Sequence, residues 1–446
     1  MSLKPVMMQI HGGAFTGGTG NDPSLDGGAL ASRGDVVVVD INYRLTTLGF
    51  LALQDGITNG NFGLGDQVTA LNWIQKYIKH FGGDPNRVTI FGQSAGAGSV
   101  RALMASPQAT GKFAAAIPQS NLAGLAYAAT YSEYYDIATE YQVAARPILN
   151  ATGCLGAASE VNCLRGIDPF VLANLSIVAR FLVQDGVYIA TNRLQLTGKG
   201  STANVPVMLG FMRDDGASFI TYPKTATNVT SVLGPSGFNT QLTPSTLALY
   251  PVPNGQNATT NVYNASAALA TDGEFRCLDL ATAYSGALHK TFPAIYVYEF
   301  NRSYNGYDPN PPVCQAPVEA GFPGGNPARE YFKCHSGELN YVFGTLSYLG
   351  LPDRDGYDIP MSQFVLDTWA SFARTFNPNP DLQFLAARGF TNTTSIAQAS
   401  GYWSMVDPEE PRLRVMQYPG YETDFYVFSN DQRCNALGLP LDYYEN

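Results

Sequence analysis

Histidine is scarce in this chain: His11, His80, His289 and His335 are the only four among 446 residues. Any chemistry that needs an imidazole base must draw on that short roster. Positive charge is scarce as well. Lys and Arg total 26 against 36 Asp and Glu, the formal net charge is −10, and no basic run forms a stripe able to follow a phosphate backbone. Nucleic acid is thereby excluded as an expected partner, and the acidity otherwise serves solubility. No apolar run is long enough to cross a bilayer, so no transmembrane segment is expected. The cysteines show no Cys-x-x-Cys spacing, which removes the common zinc and redox motifs. Internal repeats, linkers and low-complexity blocks are also missing.

What is present points to a large α/β protein. The chain exceeds the usual single-domain size, but α/β enzymes run this long around one sheet, so a single domain over 1–446 is expected. Met1-Ser2-Leu3-Lys4 leads at once into a strand-like Pro5-Val6-Met7-Met8-Gln9-Ile10, with no secretory leader between. Other features point outward from the cell. Asn-x-Ser/Thr acceptors begin at Asn150, Asn174, Asn228, Asn257, Asn264, Asn301 and Asn392. The six cysteines are even in number, as in a disulfide framework. Cys154 and Cys163 flank a short loop and are natural partners. Six cysteines allow fifteen connectivities, of which Cys314–Cys334 with Cys277–Cys434 is one completion. A secreted, glycosylated protein is expected, with the visible N-terminus cut.

Along the chain, Val36-Val37-Val38-Val39-Asp40-Ile41 is a continuous apolar run, as in a strand covered on both faces. Asp66 to Phe81 spaces Val68, Leu71, Ile74, Tyr77 and Ile78 at helical intervals. Arg87 to Phe91, Ala114 to Ile117, Val205 to Gly210 and Ile295 to Phe300 read as further strands. Strands alternating with helices imply a mostly parallel sheet with helices on both faces. Roughly 217–290 is rich in Asn, Thr, Pro and Gly and suggests a helix and loop insertion over that sheet.

Chemistry enters at Gly92-Gln93-Ser94-Ala95-Gly96, a Gly-x-Ser-x-Gly between the strand ending at Phe91 and a helix-like stretch from Ala95 to Met104. A serine on such a tight turn is pushed out of the sheet, and its flanking positions must be glycine to clear the neighbouring strand and helix. Serine needs a base. His80 closes a helix, His289 ends another, and His11 belongs to a His-Gly-Gly turn. His335, in Cys334-His335-Ser336-Gly337-Glu338, follows a late strand and is the candidate. The third member must be a carboxylate that fixes the imidazole tautomer. Asp215, in Arg213-Asp214-Asp215-Gly216, lies between serine and histidine in the chain; Asp185 is a rival in a turn-like setting. His11-Gly12-Gly13-Ala14-Phe15 follows the first strand, where small residues let backbone N–H groups approach a carbonyl oxygen.

These segments together resemble the type-B carboxylesterase/lipase family, the cholinesterase-like α/β hydrolases, and secreted fungal members in particular. Ile10 to Phe15, Asn42-Tyr43-Arg44, Gly60 to Leu64, Ala70 to Trp73, Phe81 to Pro85, Gly92 to Gly96, Arg213 to Gly216, His335 to Phe343 and Trp369 to Pro380 carry the likeness. It is dense over 5–105 and thin over 220–290. The resemblance implies an α/β-hydrolase fold with the first N-terminal strands of the family missing. It also implies Ser94 as nucleophile, Asp215 as acid, His335 as base, Gly13, Ala14 and Ala95 as oxyanion-hole donors, and a Cys154–Cys163 loop. Asp215 replaces the family's usual glutamate, and Gln93 stands where glutamate is common. The expected activity is hydrolysis of small-molecule or lipid carboxylic esters through an acyl-enzyme, with no metal or organic cofactor. Triacylglycerol lipase and cholinesterase-like activities are alternatives within the class. A non-catalytic hydrolase-fold binding module, as in neuroligin-like relatives that typically lose the nucleophile, is the alternative outside it.

Overall fold

The structure is a computed structural model that describes every residue except 1, 124–130, 199, 226–227, 256, 420–424, 429–430 and 446. Its strands in chain order are β1 (Lys4–Ile10), β2 (Val37–Ile41), β3 (Gly83–Gln93), β4 (Ala115–Gln119), β5 (Tyr135–Asp136), β6 (Val183–Gln184), β7 (Val207–Met212), β8 (Ile295–Phe300), β9 (Arg412–Met416) and β10 (Phe425–Val427). Eight of them form one sheet in the order β10-β9-β8-β7-β4-β3-β1-β2, while β5 and β6 pair separately. Neighbours in the large sheet are parallel except β10, which runs antiparallel to β9.

Strand periodicity divides the interior in two. Val6, Met8 and Ile10 of β1 pack into a core that includes Leu64, Leu71 and Ile74 of the helix Phe62–Tyr77 and Val100 and Leu103 of the helix Ala95–Ala105. Met7, one residue out of step, joins Phe91, Ile117 and the helix Asp358–Thr375 through Val365, Trp369 and Phe372 on the opposite face. Alternate side chains thus feed two layers of helices, the α/β-hydrolase architecture expected from the sequence. Among the described residues, no helix is long and apolar enough to cross a membrane.

Some elements differ from expectation. Val36–Ile41 does form β2, but as the last strand of the sheet, with Val37 to Val39 half-buried and Asp40 exposed rather than covered on both faces. β7 starts two residues later than the apolar run suggests. The arginine-bearing β9 and the short β10 have no apolar pattern to betray them. Within 217–290 the helices Val229–Leu233, Pro244–Ala248, Ala258–Thr271 and Cys277–Leu288 form. Tyr263, Leu269, Leu278 and Leu280 from the last two share a core with Leu209 and Val297 of the sheet.

Three disulfides close at Cα–Cα distances of 5.6, 5.4 and 5.6 Å: Cys154–Cys163, Cys277–Cys434 and Cys314–Cys334. The chain leaves β1 for β2 on one side and returns to β3 on the other. The loops after β1 and β3 therefore diverge and open a crevice at the carboxyl ends of the strands, where α/β sheets bind ligands.

Candidate active site

Ser94 sits on that crevice, between β3 and the helix Ala95–Ala105. Its backbone is held at φ 61° and ψ −124°, a conformation that a residue with a side chain adopts only under constraint. The constraint is visible: the Ser94 amide donates to Gln119 O at 3.0 Å, and its carbonyl accepts the Gly98 N–H at 3.0 Å. A Cβ on Gly96 would lie 2.0 Å from Ile10 O, and one on Gly92 would lie 2.6 Å from the same atom. β1 passes so close that only glycine fits at either position. The rest of the elbow is buried while Ser94 is half-exposed, so the turn delivers one hydroxyl to solvent.

The loop after β1 supplies backbone donors. Gly13, Ala14 and Phe15 all have positive φ, at 111°, 55° and 59°. Gly13 O accepts from Thr16 N at 2.9 Å and Gly17 N at 3.0 Å, and Phe15 is buried against Tyr131 and Phe50. Ring stacking and a 2.8 Å bond from the Tyr43 hydroxyl to His11 O fix the loop's entry. His11 Nδ1 lies 2.8 Å from Gly12 O, and burial lowers the ring's basicity. In a trans peptide the N–H points opposite to the C=O, so anchoring Gly12 O turns the Gly13 N–H away from His11. The Gly13, Ala14 and Ala95 amides donate to no group among the described residues. The Ala95 amide also lies at the positive end of its helix.

Asp215 and His335 meet at 2.6 Å between Oδ1 and Nδ1, both buried. The acid is aligned by three further contacts. Its Oδ2 accepts from Ser120 Oγ at 2.8 Å and from the Met212 amide at 2.8 Å, and the next residue's amide, Gly216 N, donates to Thr271 Oγ1 at 2.9 Å. His335 is seated by its own amide on Ser218 Oγ at 3.2 Å and by the rings of Phe219 and Phe275 at 4.9 and 5.2 Å. The two loops are laced together just upstream, one residue before Asp215 and two before His335: Lys333 N donates to Asp214 Oδ2 at 2.8 Å and Asp214 N to Lys333 O at 3.2 Å. Sequence reasoning missed Ser120, Ser218, Thr271 and the two phenylalanines, because no local spacing links them to Asp215 or His335.

Beneath the pair lies Glu338, 1% exposed, with Oε1 accepting from Gln119 Nε2 at 3.1 Å. Burial, and then the negative charge of Asp215, push its carboxyl up to about 8. At neutral pH it is therefore mostly protonated and adds little charge under the imidazole.

The second imidazole nitrogen is already occupied. Gln93 Nε2 lies 3.0 Å from His335 Nε2, and Ser94 Oγ makes no hydrogen bond with a described residue. Asp215 holds the proton on Nδ1, so Nε2 presents a lone pair and Gln93 is the donor.

Ser94, His335, Gln93, Gly12, Gly13 and Ala14 line one cleft of about 430 Å³, with Phe219, Tyr307 and Leu339 on the far wall. A separate cavity of about 490 Å³ lies behind the histidine loop between Arg213, Arg302 and Lys333 and does not reach Ser94. Of the other histidines, His11 also lines the Ser94 cleft, whereas His80 is exposed and His289 pairs with Glu445 at 2.7 Å, both outside its lining. Asp185 Oδ1 accepts the amides of Val187, Tyr188 and Ile189, a turn rather than a catalytic acid. Asp353, Asp355 and Asp358 have carboxylates close enough for a metal ion, but Arg302 and Arg354 already bond the latter two.

Fold, elbow and the paired acid and imidazole have the arrangement found in α/β-hydrolase proteins. The chain belongs to the carboxylesterase family, whose model matches residues 1–423. It is similar to human neuroligin-2, at 32% identity over 84% of this chain and 45% of the neuroligin. It is also similar to rat acylcarnitine hydrolase, at 29% over 94% of this chain and 69% of that protein. The crystal protein of Dictyostelium discoideum matches at 29% over 95% of this chain and 76% of that one. The chain spans about half the length of the neuroligin-2 relatives it matches.

Proposed function

We propose that this protein hydrolyses carboxylic esters through an acyl-enzyme formed on Ser94. The observation that carries the reading is His335, paired with the buried Asp215, lining the same cleft as a strained, solvent-reachable serine. His335 Nε2 takes the Ser94 proton as the hydroxyl attacks the ester carbonyl. The carbonyl oxygen becomes an oxyanion facing the Gly13, Ala14 and Ala95 amides, a contribution of about 3–4 kcal/mol per donor. His335 then protonates the leaving alcohol and activates water for deacylation. The scheme uses neither metal nor organic cofactor. Ser94→Ala is expected to abolish both labelling by an organophosphonate and turnover of p-nitrophenyl esters; full turnover in that variant would sink the assignment.

Similarity to acylcarnitine hydrolase makes acylcarnitines one ester class to test. A chain-length series, with and without an oil–water interface, separates esterase from triacylglycerol lipase and cholinesterase-like activity. The neuroligin relatives motivate a second reading, a binding module without turnover. Retention of Ser94, Asp215 and His335 favours the enzyme, and failure of the wild-type chain to react with the phosphonate would favour the module. We further propose secretion as a glycoprotein: three disulfides are formed, and of the seven acceptor asparagines only Asn301 is partly buried. Mass analysis of the protein from a secreting host would detect the glycans.

A further inference from the structure

The carboxamide of Gln93 occupies the atom on which the proposed reaction depends. An imidazole nitrogen has a single lone pair. With Asp215 on Nδ1, the lone pair of His335 Nε2 is the acceptor for the Ser94 proton, and at 3.0 Å the Gln93 N–H fills it. Gln93 is 6% exposed, at the end of β3, and its carboxamide lies between the imidazole and the Gly12 turn on the wall of the cleft. A Cβ placed on Gly12 would lie 3.3 Å from Gln93 Oε1 and 3.1 Å from Ser94 Cβ. The carboxamide therefore borders the space that an ester carbonyl must enter.

We infer that Gln93 is a positioning residue that holds the resting His335 in a capped state, released when a bound ester displaces the carboxamide. The inference rests on the acyl-enzyme reading and adds a control step to it. A neutral amide can donate to neutral imidazole but faces a second N–H once Nε2 is protonated. Capping thus favours the resting form over the imidazolium that forms during attack. Glutamate at this position would do the reverse, because a carboxylate accepts from the protonated nitrogen. The other titratable groups around the ring are Asp215 on Nδ1, Tyr307 whose amide bonds His335 O at 2.7 Å, Glu338 beneath through Gln119, and Lys333 two residues upstream. None of them touches Nε2.

Two variants of the full chain test this. Gln93→Met keeps the side-chain length and removes the donor. It is expected to react with a phosphonate about two- to tenfold faster than wild type, the weight of one neutral hydrogen bond. The ¹⁵N resonance of His335 Nε2 should also move toward that of a free imidazole nitrogen. Gln93→Glu, nearly isosteric, is expected to shift the acid limb of kcat/KM to higher pH. A Gln93→Met rate no higher than wild type, whatever the resonance does, overturns the inference. Should that variant not fold, an unmoved acid limb in Gln93→Glu overturns it instead. A wild-type chain that never reacts at Ser94 would overturn the esterase reading itself, a separate outcome.

Discussion

Ser94 and the Gly13–Ala14 loop reach the cleft from adjacent strands, β3 and β1, whereas Asp215 and His335 reach it from loops 120 residues apart. The first half is held by backbone shape: glycines where a methyl group would collide, and positive φ at Gly13, Ala14, Phe15 and Ser94. The second half is held by side chains that bond across the molecule. The difference teaches that a hydrolase site combines two kinds of precision. Steric exclusion sets where Ser94 stands, and hydrogen-bond satisfaction sets which nitrogen of His335 carries the proton.

Four changes should separate these modes. The largest effect is expected from Asp215→Asn. An amide at 215 donates to Nδ1, forces the proton onto Nε2, and leaves His335 unable to act as base; kcat should fall about 10⁴-fold with little change in melting temperature. If kcat falls less than tenfold, the tautomer role is wrong. Gly96→Ala should do the opposite, attacking the fold first. Its Cβ would sit 2.0 Å from Ile10 O, so β1 and the elbow must part, at about 3 kcal/mol or more of unfolding free energy in urea titration. A variant as stable as wild type would show that the close approach is not rigid.

Ser120→Ala removes one of the bonds to Asp215 Oδ2 while leaving the Met212 amide in place. A loss of about 1 kcal/mol, or roughly fivefold in kcat/KM, is expected, and steady-state kinetics would read it. The smallest effect on turnover is expected from a buried acid outside the cleft. Glu140 is fully buried with no cation on it among the described residues, and burial pushes its carboxyl up to about 8 from 4.5. Between those values the folded chain keeps a proton that the unfolded chain has released, so this residue lowers stability as pH rises across the window. Glu140→Gln should flatten that part of the melting-temperature profile between pH 5 and 8. An identical slope in both proteins would remove Glu140 as its source.

Legibility in the sequence followed the same division. The elbow, the His-Gly-Gly turn and the early strands were readable because their residues are neighbours in the chain and their constraints are local. Asp215 and His335 were readable only as candidates by chain order, against Asp185 and three other histidines. Ser120, Ser218, Thr271, Phe219 and Phe275 left no trace, since a contact across a hundred residues has no period or spacing. β2 misled in a different way. A continuous apolar run reports which side chains avoid water, not whether a further strand lies alongside, so an edge strand and a central one look alike.

The glycines around Ser94, the apolar runs of the parallel strands and the scarcity of histidine are properties of the sequence alone. They determined an α/β sheet with a serine thrust from it, because clashes and burial preferences act between near neighbours. The pairing of Asp215 with His335, the choice among cysteine connectivities and the presence of Gln93 on Nε2 were decided by tertiary structure. Each depends on a distance of a few ångströms between groups that only the closed sheet brings together.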